Sequence, residues 1–142
     1  MPKLSVWLLR ASLVHMGLGF LFGALMLLQK GVPLYAWLWQ LLNPHIELMT
    51  FGWTMQFVMG LAFWILPRFS GEQRYGNEQL GWWSLGLLNS GIVLTATGAW
   101  FSLELVTLIG RLLTLAAVLL FIVMIYPRVK ALGGFAASQH ER

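Results

Sequence analysis

Apolar residues in this chain come in blocks longer than a globular core requires. Four runs reach the roughly 20 residues needed to cross the hydrocarbon of a bilayer: residues 4–29, 44–66, 78–101 and 103–126. Between the first two lies VPLYAWLWQLL, residues 32–42, too short to span and rich in Tyr35, Trp37 and Trp39. That composition predicts a short interfacial segment before the second span. PRFSGEQRYGNE, residues 67–78, predicts a polar loop. Only Ser102 separates the third run from the fourth, which predicts a tight antiparallel hairpin. After Tyr126 the sequence turns polar, so residues 127–142 are expected to form a mobile tail. The expected fold is an all-α membrane protein, a four-helix transmembrane bundle over residues 1–126 without internal repeat.

Polar residues interrupt these blocks in a pattern. On a helical wheel, steps of three and four from His45 give Met49, Gly52, Gln56, Gly60 and Phe63, one small and polar face of the second span. Phe51, Met55, Val58 and Ala62 make an apolar reverse. The first span repeats the pattern, with His15 near mid-membrane and Gly19 and Gly23 on its face. Such glycines let a neighbouring helix, or a flat macrocycle, come close to the backbone. In the fourth span Glu104, Thr107, Arg111 and Thr114 form one stripe. Either Glu104 and Arg111 pair through Thr107, or Arg111 is a counter-charge for an anionic group. Arg10 is expected to snorkel. Glu47 points to a different face from His45 and is expected to meet water, Lys30 or Arg111.

Charge placement adds an orientation. Lys3, Arg10, Arg68, Arg74, Arg128, Lys130 and Arg142 fall on one side of a four-span arrangement, against Lys30 alone on the other. The positive-inside rule then puts both termini in the cytoplasm and His45 near the outer face. Trp37, Trp39 and Trp100 are expected in the outer aromatic belt, with Trp53 a mid-span exception. The N-terminal apolar stretch outruns a signal-peptide core and lacks a small-x-small cleavage site, so the first helix is expected to be retained.

Composition narrows the chemistry. The 142 residues are 58% hydrophobic and 10% charged, against about 25% charged in a soluble domain. There is no cysteine, which excludes disulfides, iron–sulfur clusters, thiolate zinc sites and cysteine nucleophiles. The net charge of +4 is spread over span ends, so nucleic acid is not an expected partner. An intramembrane histidine is costly and often functional. His15 and His45 are either helix–helix hydrogen-bonders or ligands of a metal or haem iron. Gln56 is either glue between helices or part of the same site. His140, in the tail, carries no signal.

HIELMTFGWTMQFVMGLAFWILPRF, from His45, resembles the second transmembrane helix of haem–copper oxidase subunit I, in the nitric-oxide reductase and cbb-type branch. RASLVHMGLGFLFGAL and LGWWSLGLLNSGIVLTATG are similar to its flanking helices. The resemblance implies that His45 is an axial ligand of a low-spin haem b on the outer side. It does not carry over the whole enzyme. Those oxidases have many more helices and ligand histidines, whereas this chain has three histidines. A binuclear reducing centre cannot be built from them, so a complete terminal oxidase or nitric-oxide reductase is excluded for the isolated chain. The second axial ligand is open between His15, a methionine and His45 of another copy. By helical rise His15 lies about 15 Å deeper than His45.

The expected function is therefore a haem b protein of a prokaryotic inner membrane, in electron transfer or in binding a gas or quinol. Its candidate cofactor residues are His45, His15, Met49, Gly52, Gln56 and Arg111, with His45 and His15 as metal ligands. The alternatives are a cofactor-free accessory or assembly subunit of a respiratory complex, and a copper or haem carrier using His15, Met16 and Met49. Expected partners are the bilayer, a second copy or a respiratory complex, and a quinol or redox protein.

Overall fold

The structure, a computed structural model, describes residues 1–33, 35–67 and 75–140, with side chains up to residue 129. Four long helices make up the described chain. α1 spans Lys3–Gly31. α2 runs over Ala36–Ile65 without a break. It opens as a 3-10 turn (Ala36–Leu41), is α-helical over Leu42–Glu47, widens to a π-helix over Leu48–Met55 and returns to α-helix over Gln56–Ile65. α3 spans Glu78–Trp100 and α4 spans Glu104–His140.

α1, α2 and the Glu104–Val129 part of α4 are long and apolar enough to cross a membrane. α3 is 23 residues long, but Ser84, Asn89, Ser90, Thr95 and Thr97 dilute its apolar run. Two expected boundaries move. The segment at 32–42 is not set off from the second span, because its 3-10 turn feeds directly into α2. Pro44 permits this: it lies in the first α-helical turn, where its missing N–H breaks no bond. α4 likewise does not end at Tyr126 but continues through Pro127 to His140. The expected polar loop, with Arg68 and Arg74, lies mostly outside the described residues, as does Arg142.

The helices pack as two close pairs. α3 and α4 form the predicted hairpin, and its closeness comes from glycine facing threonine. A Cβ on Gly98 would fall 2.6 Å from Thr107 Oγ1, and one on Gly91 would fall 2.5 Å from Thr114 Oγ1. Ser84 Oγ also donates to the Ala117 carbonyl at 2.7 Å. The turn between them is a Schellman-type cap, with the Leu103 N–H bonded to Gly98 O at 2.8 Å. It places Ser102 in the left-handed region at φ 57°, where glycine is the usual residue.

Leu8 of α1, Phe63 of α2, Leu88 and Ile92 of α3 and Ala117 of α4 are fully buried together, so all four helices share one core. At one end of the bundle Trp37 meets Trp100 edge-on, 5.7 Å between rings. At the other, Arg128 is completely buried. Its Nε donates to Pro67 O at 2.9 Å, Nη1 to Phe63 O at 3.0 Å, and Nη2 to Leu66 O. The guanidinium also lies 5.1 Å from the Phe63 ring centre, and that ring stacks on Tyr75. These carbonyls end α2 and have no intrahelical partner, so a forked cation satisfies them and the helix dipole together.

Candidate functional site

The second pair, α1 and α2, carries the polar faces. Every residue of the predicted α2 face is on this seam or in the core beside it. Ser5 Oγ donates to Gly60 O at 2.7 Å. Two turns on, a Cβ on Gly52 would lie 2.8 Å from the Cβ and Cγ of His15. His15 Nδ1 is 3.1 Å from both Gly52 O and Gln56 Oε1. Next, Met49 packs its sulfur on Gly19, at 2.5 Å from where a Cβ would sit. Nearest the Trp37 end, His45 Nδ1 lies 2.7 Å from Gly19 O, and its ring covers Gly23. Each helix thus gives one imidazole to a glycine carbonyl of the other.

The π-helix belongs to this seam. A π register leaves carbonyls poorly aimed at their own helix, and such bulges recur at functional sites. Here Gly52 O bonds to His15, and Met49 O accepts from the Thr54 hydroxyl at 2.9 Å. The seam also revises the depth expected for the histidines. His45 sits between Gly19 and Gly23, one to two turns above His15 on α1, so about 6–12 Å separates them rather than about 15 Å.

The bonds fix the chemistry of both rings. A main-chain carbonyl can only accept, so Nδ1 carries the proton in His15 and His45. Nε2 of each is then the lone-pair nitrogen. A metal-bound histidine is oriented in the same way, donating its other ring N–H to a carbonyl or carboxylate. His15 is 7% exposed, and its neighbour Gln56 is fully buried with Nε2 lacking a hydrogen bond among the described residues. His45 is half-buried and lines an open groove of about 550 Å³ with Phe20, Gly23, Ala24, Lys30 and Trp39. That volume falls within the roughly 300–1,000 Å³ of small-molecule and cofactor sites.

The candidate residues therefore divide. His45, Met49, Gly52, Gln56 and His15 share the seam, but only His45 lines the groove. Arg111 is elsewhere. It lines a second groove of about 390 Å³, with Asn43, Ser102, Glu104 and Thr107. It makes no ion pair with Glu104 among the described residues, so the expected bridged pair is not formed. Glu47 faces that side too: it is buried, its Oε1 lacks a hydrogen bond, and Arg111 is the cation that acts on it. Lys30, read from sequence as an outer charge and one of the possible partners of Glu47, is the basic residue that lines the groove with His45. Met16 follows His15 directly and so projects to another face. No group of three or more His, Cys, Asp or Glu gathers among the described residues.

Comparisons with protein-family models, curated proteins and solved structures returned no match. The likeness of α2 to an oxidase helix rests on its residues alone.

A haem needs one well-placed imidazole, an apolar wall and a cation for its propionates. The His45 groove has all three: an Nε2 held ready by Gly19 O, a wall of Phe20, Leu27 and Leu42, and Lys30. It fits one axial ligand. Among the described residues it holds no second imidazole.

Proposed function

We propose that the chain is a multi-pass protein of a prokaryotic inner membrane that holds a haem b through His45. In this reading it serves electron transfer or the binding of a small ligand such as a gas or quinol. The observation that carries it is the 2.7 Å bond from His45 Nδ1 to Gly19 O, which leaves Nε2 as the lone-pair nitrogen of a residue that lines a groove of cofactor size. His45 would be the ligand, its ring seated on Gly23, the small Ala24 would leave room for a flat ring beside it, and Lys30 would meet a propionate. When bound, haem supplies a one-electron couple and a coordination position for a small ligand. The chain's own part is to fix the tautomer, keep water from the groove and aim the imidazole. A second axial ligand would come from another copy, or the position stays open. The charge distribution supports both termini in the cytoplasm, with four passes.

A second reading has its own support. Both imidazoles already bridge α1 to α2, which accounts for them as helix–helix glue. The chain would then be a cofactor-free accessory subunit of a respiratory complex. The absorption spectrum of the protein as purified from its membrane separates the two. The haem reading expects a Soret band with split visible bands on reduction. A colourless protein that haemin cannot reconstitute would leave the accessory reading standing.

A further inference from the structure

The second groove lies at the Ser102 end of the bundle and is lined by both polar and charged side chains. Its wall is built by Asn43 of α2, the α3–α4 turn at Ser102, and Glu104, Thr107 and Arg111 of α4. The two charges are ordered by depth. Glu104 opens α4 at the turn, while Arg111 follows two helical turns, about 10 Å, further in. Helical side chains lean toward the helix N-terminus, so the guanidinium reaches back toward the turn. Both side chains are exposed, and neither finds the other within ion-pair distance. Beside them Leu105, Leu108 and Leu112 are exposed and apolar. The charge of Arg111 also acts on the buried Glu47, but the two form no ion pair among the described residues. An exposed cation in a membrane-spanning segment is expensive unless an anion meets it directly.

From this ordering we infer that the groove binds a zwitterionic phospholipid headgroup carrying a primary ammonium. In such a lipid the phosphate lies nearer the acyl chains and the ammonium nearer the water. The phosphate then meets Arg111, and the ammonium donates to Glu104 with Ser102 and Asn43 beside it. The acyl chains continue deeper, over the exposed Leu112, Leu115 and Leu119. A second copy does not meet the need as well. In a parallel pair of chains each Glu104 stays at its own depth, about 10 Å from the other copy's Arg111. A quaternary headgroup is disfavoured, because it has no N–H for Glu104.

Native mass spectrometry of the full chain, released from nanodiscs of mixed phosphatidylethanolamine, phosphatidylcholine and phosphatidylglycerol, tests this. Wild type should retain phosphatidylethanolamine about tenfold over phosphatidylcholine. Arg111→Gln should lose retention of both. Glu104→Gln should keep retention but lose the preference, with helical circular dichroism unchanged in either variant. Equal retention of all three lipids, or a preference that survives Glu104→Gln, overturns the inference. So does displacement of the lipid by free glycerophosphoethanolamine, which would make the ligand a soluble zwitterion. The measurement needs no haem, so its outcome is independent of the His45 groove.

Discussion

A histidine that donates through Nδ1 to a main-chain carbonyl keeps Nε2 for another partner. His15 and His45 both do so; His45 lines an open groove, while His15 is buried. The period of the sequence placed both rings on the α1–α2 seam. Which ring would face open space was not readable, because that depends on the angle between two helices. Other single residues carry distinct expectations. Ser102 holds a positive φ that disfavours residues with a side chain by about 1 kcal/mol. Ser102→Gly should therefore raise the thermal midpoint, and Ser102→Val should lower it. Arg128 was legible only as a tail charge that fixes topology. Its burial follows from the end of α2, where three carbonyls need donors. Arg128→Met should lower stability by about 3 kcal/mol in an unfolding titration, and Arg128→Lys should recover only part, since an ammonium cannot fork.

At the scale of elements, the contact between α1 and α2 depends on which glycines face the neighbour. Gly52 meets the His15 side chain at 2.8 Å from a built Cβ, whereas Gly17 meets nothing within 4 Å. Gly52→Ala should cost about 1–3 kcal/mol through overpacking. Gly17→Ala should be neutral or stabilise by up to about 1 kcal/mol, as expected for an open helical position. Equal effects of the two, followed by thermal unfolding in detergent, would contradict the packing described. The seam was largely visible in the sequence because glycine, histidine and glutamine recurred at helical spacing. The π-helix was not visible: it arises where Gly52 O and Met49 O are satisfied from outside the regular ladder. Nor was the continuous entry into α2, since aromatic residues before Pro44 favour an interface and a helix end equally well.

At the scale of the whole molecule, two helix pairs close around one core, and two of the grooves on their flanks differ in character. One is apolar with a single imidazole and Lys30; the other is polar, with Arg111 and Glu104. Sequence reasoning had joined Arg111 to His45. They lie on separate flanks because Arg111 belongs to the α3–α4 pair and His45 to the α1–α2 seam. Spacing within one helix could not reveal that separation. The central claim is that His45, and not His15, presents a nitrogen to a haem. Haemin titration of wild type, His45→Ala and His15→Ala, followed at the Soret band, tests it directly. The account predicts saturable binding by wild type and His15→Ala and its loss in His45→Ala. Binding that survives His45→Ala unchanged, or fails in wild type, would contradict it.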